Sequence, residues 1–344
     1  MRALVYHGPG RVSWDTVPDP VVEEPTDAVV RVGTTTVCGS DLHILGGRLP
    51  QVRPGTVLGH EAVGEVVETG HEVHSVRPGD QVIVSAVSAC GRCEFCRDGH
   101  YGQCHGGGGW LLGHLIDGAQ AEYVRVPFAD HSLHRLPAGL AGDDAVLFSE
   151  VLPTAYEVGV RNGRVRPGDT VVVVGAGPVG LAAVRTARLH APGRVIAVDL
   201  SPARLAAAAR LGADSAELPG RLIADLAEGP GADVAIEAAG DPESFVLCTR
   251  VVRQGGHIAN IGTHGVPAML HLEALWRKNL TISTGQVDTF STPALLDFAT
   301  SGRLHVSDLV THGFPLDRVE EAYEAFARGS ETGALKTVLR GGRG

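Results

Sequence analysis

The sequence predicts an α/β chain in two parts: a compact β-rich region over roughly the first 150 residues, then a doubly wound parallel sheet of six strands. Three observations predict it. Short Val- and Thr-rich runs bounded by Pro-Gly-Asp turns fill the first part, among them Ala28 to Val32, Ala62 to Glu68 and Gln81 to Val84. From Gly168 onward, apolar runs alternate with Ala- and Leu-rich helical stretches, the rhythm of βαβ units. Glycine makes up 46 of 344 residues without a collagen period, which implies many tight turns.

Taken in order, Arg2 to Tyr6 reads as a short strand before the turn His7-Gly-Pro-Gly10. The parallel sheet is expected from Thr170 to Val174, Arg194 to Val198, Ser215 to Leu218, Val234 to Ala238, His257 to Ile261 and Leu280 to Thr284. Beyond Gly285 the βαβ rhythm stops. Pro293 to Gly302 and Arg318 to Ala327 read as amphipathic helices before a last strand, Leu335 to Leu339, and this tail is expected to return to the first domain. The longest apolar stretch, Val171 to Val184, is broken by Gly175, Gly177, Pro178 and Gly180 and falls short of the ~20 residues of a membrane span. No secretory h-region follows Met1, so a cytoplasmic location is expected. With 29 basic and 39 acidic residues, the net charge of −10 argues against nucleic-acid binding.

Gly175-Ala-Gly177-Pro178-Val179-Gly180 follows the strand Thr170 to Val174 and opens a helical stretch, Val179 to His190. Such glycines let a backbone turn tightly and approach a pyrophosphate, whose charge sits on free N–H groups at the helix start. Asp199 ends the next strand nineteen residues beyond Gly180, where a carboxylate accepts hydrogen bonds from ribose hydroxyls and repels a 2′-phosphate. NAD is therefore expected over NADP, although Arg204 lies near enough in sequence to meet a phosphate.

Four of the six cysteines, Cys90, Cys93, Cys96 and Cys104, lie within fifteen residues. In a reducing compartment this spacing reads as a closed, structural Zn2+ site. An iron–sulfur cluster or a redox pair is the rival reading. A second set is dispersed: Cys38-Gly-Ser40-Asp-Leu-His43, Gly59-His60-Glu61 and Ser149-Glu150. Spacing alone does not distinguish these from core or surface residues.

These motifs, with the Pro78-Gly-Asp80 turn, occur in the order seen in zinc-dependent medium-chain dehydrogenases, and from residue 1 to about Leu339 the chain resembles an alcohol dehydrogenase of that family. The resemblance implies a GroES-like catalytic domain built from residues 1–152 and 287–344, and a Rossmann NAD-binding domain over 153–286. It implies two zinc ions, one structural and one catalytic. Cys38 and His60 correspond to catalytic zinc ligands, Glu150 falls where a third ligand is found, and Glu61 is an alternative carboxylate ligand. Departure from the Cys-His-Cys form leaves open whether Glu61, Glu150 or water completes the shell. Ser40 matches the family's relay hydroxyl and His43 the imidazole that passes the proton onward. Lys336 falls where the family often places a basic residue on the pyrophosphate, with a plain surface lysine as the alternative. Thr154, Gly240, Ile261, Gly262 and Thr263, at strand ends, match cofactor-contacting positions.

The implied function is reversible hydride transfer between NAD and a secondary or medium-sized alcohol and its ketone or aldehyde. Pro153-Thr-Ala-Tyr156 and Gly285-Gln-Val-Asp288-Thr resemble bacterial secondary-alcohol dehydrogenases. Trp110 is a candidate wall of a small apolar pocket or ordinary packing. A polyol or amino-alcohol dehydrogenase of the same family is the alternative, and a non-catalytic cofactor-binding protein is the alternative of another class. A homo-oligomer, dimer or tetramer, is expected from the family. The remaining histidines, His114 among them, are read as solvated loop residues.

Overall fold

The computed structural model describes residues 1–342 except 222–225, 227 and 228. The chain divides into two compact units: Met1–Glu150 with Val287–Thr300 and Val310–Gly344, and Val151–Gln286 with Ser301–Leu309. The short segment 301–309 thus groups with the second unit, although the sequence pattern assigns everything after residue 286 to the first.

The first unit centres on a seven-stranded sheet. The long strand Ala28–Val37 is its spine, because one of its edges is shared by two partners in succession. Its first half pairs antiparallel with Tyr123–Val126 and its second half with Lys336–Arg340, while Ala62–Thr69 runs along the other edge. Alternation along these strands sends Val30, Val32, Val66, Val82, Val84, Val124 and Val126 into one core. Gly64 is required here: a Cβ would lie 2.1 Å from the Arg31 carbonyl oxygen. A second cluster packs Val319, Ala322 and Tyr323 of the C-terminal helix Val319–Ala327 against Leu4, Tyr6, Val37 and Ile44. The chain end therefore returns to the first unit, and Lys336–Arg340 closes on Thr34 to Val37 beside Cys38.

The second unit is a six-stranded sheet, parallel throughout, in the order Ser215–Glu217, Arg194–Val198, Thr170–Val174, Ala232–Glu237, Val252–Asn260, Thr281–Thr284. The chain starts in the middle, moves to one edge, returns and moves to the other. All six expected strands are present. Two begin earlier than the apolar pattern shows, at Ala232 and Val252. Val252 pairs with Ala232 and His257 with Val234, so the polar run Arg253-Gln-Gly-Gly256 is accommodated in the register shift between them. The expected helix after the glycine loop is α-helical from Pro178 to Ala187 and tightens to a 3₁₀ turn over Arg188–His190. Among the described residues, no helix is long and apolar enough to cross a membrane.

Candidate active site

Cys38 lies where the strand Ala28–Val37 hands over to the short helix Gly39–Leu45. Its extended backbone makes it the N-cap, and the Asp41 carboxylate accepts the Cys38 N–H at 2.9 Å, fixing the thiol's starting point. His60 and Glu61 immediately precede the strand Ala62–Thr69, after a left-handed Gly59 that has Gln120 packed against its Cα. Glu150 is anchored by Ser149, whose hydroxyl donates to the Ala62 carbonyl.

Together Cys38, His60, Glu61 and Glu150 bring one sulfur, one nitrogen and two carboxylate oxygens within 4.8 Å of one another. Glu150 Oε2 lies 3.1 Å from both Cys38 Sγ and His60 Nε2. Glu61 pairs with Lys336 and accepts from the Thr36 hydroxyl. Cys38, His60 and Glu61 are buried and Glu150 is partly so.

Burial and the facing Glu150 push the Cys38 thiol up. Burial opposes the His60 imidazolium, yet Glu150 and Asp41 outweigh it and raise His60 well above its ordinary value. Glu150, despite its own burial, is held down to about 2 by His60 and Lys336. Glu61 Oε1 is buried without a hydrogen-bond partner, an acceptor that lacks a positive group of its own. This deficit and the S/N/O donor set fit a zinc ion.

Ser40 Oγ lies 3.4 Å from His60 Nε2. His43, three residues on along the same helix, accepts at Nδ1 from Arg48 at 3.1 Å, and burial together with the Arg48 charge lowers its pKa. Trp110 meets the His60 ring edge-on, with centroids 5.5 Å apart, and stacks on His114 at 4.5 Å. His114 is therefore not a free loop residue: it holds the Trp110 carbonyl through Nδ1 and braces the indole. Lys336 is fully buried in the first unit with its ammonium on Glu61, so it is no surface lysine.

The four-cysteine loop gathers Cys90, Cys93, Cys96 and Cys104 within the same 4.8 Å limit, all as free thiols. Cys90 and Cys96 Sγ are 3.8 Å apart, the edge of a tetrahedron with metal–sulfur bonds of about 2.3 Å. A single ion fits that spacing better than a multi-iron cluster. The Cys96 N–H holds the Cys93 thiol down to about 6, poised to ionise. Gly106 is obligatory beside it, since a Cβ would lie 2.4 Å from Cys90 Sγ.

In the second unit, Gly175 turns left-handed at the end of Thr170–Val174, and Gly177 caps the helix that Pro178 and Val179 begin. A Cβ on Gly180 would sit 1.8 Å from the Gly175 oxygen, so helix and loop touch backbone to backbone. Asp199 straps this loop, accepting from Ala176 N–H and Ser201 N–H at 2.8 Å each, with Arg204 3.8 Å from Oδ2. Gly240 and the segment Ile261-Gly262-Thr263 come together: Cβ atoms there would strike one another's backbone. Thr154, elsewhere in this unit, has a buried hydroxyl without a hydrogen-bond partner.

Residues 24–138 match the family described as the alcohol dehydrogenase GroES-like domain, and residues 178–300 that described as zinc-binding dehydrogenase. An alcohol dehydrogenase of Cupriavidus necator is 33% identical over 368 aligned positions, covering 99% of this chain and 98% of the relative. The chain belongs to the zinc-dependent medium-chain alcohol dehydrogenase family. Zinc-dependent alcohol dehydrogenase 2 of Streptococcus pneumonia, solved in its apo form, superposes with a TM-score of 0.95 at 41% identity, covering 100% of this chain and 99% of that one. An alcohol dehydrogenase from Thermus sp. ATN1 gives 0.90 at 37%, over 99% and 100%. As an alcohol dehydrogenase of this family, the chain has a GroES-like first unit and a Rossmann second unit, and it oxidises or forms alcohols with zinc.

Several residues of this alcohol dehydrogenase escape sequence reading. Asp41 is buried behind Cys38 and His60, and its only sequence signal is the third-position acid of a capping box. Glu237 is wholly buried at the end of Ala232–Glu237, where it accepts from Ala239 N–H, Gly240 N–H and the Ser244 hydroxyl. Its signal was an acid inside an apolar run. Gln120 and Tyr323 carry no local signal.

Proposed function

We propose that this alcohol dehydrogenase is NAD-linked and converts secondary or medium-sized alcohols to their carbonyl compounds, with one catalytic and one structural zinc per chain. The observation that carries the reading is the buried S/N/O cluster with the Ser40 hydroxyl 3.4 Å from its imidazole. Cys38, His60 and one or both of Glu61 and Glu150 would hold the catalytic ion. Cys90, Cys93, Cys96 and Cys104, which offer four thiolates and leave no open position, would hold the structural one.

Zinc, when bound, supplies Lewis acidity to the substrate oxygen. The Ser40 hydroxyl would take up the alcohol proton as its own proton leaves toward His43, whose pKa is lowered by burial and by the Arg48 charge. Trp110, set against His60 and braced by His114, gives the substrate site an apolar wall that favours carbon chains over polyols. The glycine loop, with Gly240, Ile261 to Thr263 and Thr154, would hold the dinucleotide, which would supply the hydride acceptor for alcohol oxidation. The Asp199 carboxylate supports NAD over NADP. The Glu61–Lys336 pair, buried beside the donor cluster, leaves Lys336 a charge balance for the carboxylates and within the first unit.

A homo-oligomer fits the exposed apolar side chains Val266, Met269, Leu272 and Trp276 that precede the outermost sheet strand, Thr281–Thr284; native mass measures it. The test of function is initial-rate reduction of NAD and NADP over secondary, primary, polyol and amino alcohols, with a zinc chelator as control. Chelator-sensitive turnover, faster with NAD and with secondary alcohols, is expected. A preference for polyols or for NADP would overturn that part of the reading.

A further inference from the structure

Behind His60 runs a line of buried polar groups that the proton path does not use. Tyr323, on the helix Val319–Ala327, donates its hydroxyl to Gln120 Oε1 at 2.8 Å. Gln120 Nε2 donates to Asp41 Oδ2 at 3.1 Å and to the Thr36 carbonyl at 2.9 Å. Asp41 Oδ2 accepts the Cys38 N–H at 2.9 Å, and its other oxygen lies 3.5 Å from His60 Nδ1. Tyr323, Gln120, Asp41 and His60 are all buried. Gln120 also presses on the residue before His60, since a Cβ on Gly59 would come within 2.6 Å of Gln120 Cγ.

We infer that Gln120 and Tyr323 are positioning residues for the catalytic zinc: the Tyr323 hydroxyl fixes which way the Gln120 amide faces, and the amide holds Asp41 against His60. The inference rests on the reading that Cys38 and His60 bind that ion. A phenol that donates leaves the amide oxygen toward Tyr323, so the amide NH₂ faces two acceptors, the Asp41 carboxylate and a backbone carbonyl. The reversed amide would set oxygen against carboxylate in a buried site, at the full cost of unsatisfied buried groups. Held in this way, Asp41 keeps one oxygen on the Cys38 backbone and turns the other to His60 Nδ1. Without metal the His60 Nε2–H serves Glu150; an ion bound at Nε2 would displace that proton and leave the imidazole its Nδ1 proton, on the side that Asp41 faces. Both ends of the ligand pair are thereby steadied from a helix near the chain's C-terminus.

The test follows zinc release from the holoenzyme to a coloured chelator, because the cysteine lobe supplies a second, independent release phase as an internal standard. Cys38→Ser should delete one phase; if both phases persist, the ligand reading itself fails. Gln120→Leu should speed that same phase by about tenfold or more and leave the cysteine-lobe phase unchanged. Tyr323→Phe, a milder change, should act in the same direction by less, and adding it to Gln120→Leu should have no further effect, since both act through one chain. Equal acceleration of both phases, an unchanged first phase in both single variants, or additive effects in the double variant would each overturn the inference.

Discussion

Asp199 carries two duties at once. Its oxygens hold the Ala176 and Ser201 N–H groups, so it shapes the glycine loop, and in the proposed reading it also meets the ribose hydroxyls. Replacing it therefore does two things. Asp199→Gly removes the charge that repels a 2′-phosphate and leaves Arg204, now 3.8 Å away, without its anionic partner. It also strips two backbone donors of their acceptor, at a cost of about 1 kcal/mol for each bond. The expected outcome is a weaker enzyme with NAD whose ratio of kcat/KM values swings toward NADP; both cofactors losing equally would mean that the carboxylate serves the loop alone. Asp199 was readable because sequence spacing fixes it: strand, glycine loop, helix and next strand follow in one short stretch. The cysteines are legible for the same reason. Gln120 and Tyr323 lie 60 and 263 positions beyond His60, and no local pattern announces a contact that only tertiary packing creates.

At the level of elements, the apolar runs marked all six strands of the second unit, whereas strand starts at Ala232 and Val252 were set by neighbours and lay outside the pattern. The first unit was less legible, because its spine strand extends through Thr34, Thr35 and Thr36, polar residues that are buried, the last two bonded to Glu61. Thr35 holds the Glu61 carbonyl at 2.7 Å, so this strand transmits the position of Glu61. Another polar residue in this sheet sets a pH limit. His134, in the short strand Leu133–Arg135 paired with Gln81–Val84, is pushed down to about 4 by burial, against an ordinary value of 6.5. Above pH 6.5 folded and unfolded chains both carry it neutral, so it imposes no pH dependence there. As pH falls from 6.5 toward 4, the unfolded chain takes a proton that the folded chain refuses, and stability drops until the folded form is protonated as well. After allowing for partial exposure, the loss between about pH 7.5 and pH 5 is about 1–2 kcal/mol. Urea midpoints at the two pH values should show His134→Gln losing less stability than the parent by that amount; parallel behaviour would place the acid sensitivity elsewhere.

For the molecule as a whole, the two donor clusters lie in one unit and the glycine loop in the other, so metal binding and dinucleotide binding depend on different parts of the chain. Both clusters, four thiols in one and a thiol, an imidazole and two carboxylates in the other, gather their donor atoms within the same distance, yet they differ in what surrounds them. The Cys38 cluster sits in a framework already closed by the sheet, the Asp41 cap and the Lys336 pair, so losing an ion there leaves the fold its support. The cysteine lobe has short helices, Glu94–Arg97 and Tyr101–Gln103, and packed glycines in place of a core, so in the proposed reading an ion there would carry much of the order of that loop. Two single substitutions should therefore separate the sites. Cys38→Ser and Cys96→Ser should each lower the zinc content from two per chain to one. Cys38→Ser should abolish turnover while NADH binding and thermal midpoint stay near those of the parent. Cys96→Ser should lower the midpoint by more than about 5 °C, with activity declining as the fold is lost. Metal analysis, calorimetry and NADH titration on the same preparations measure all three quantities. Equal thermal losses in the two variants would remove the distinction between a structural and a catalytic ion, because that distinction rests on which cluster the fold can do without.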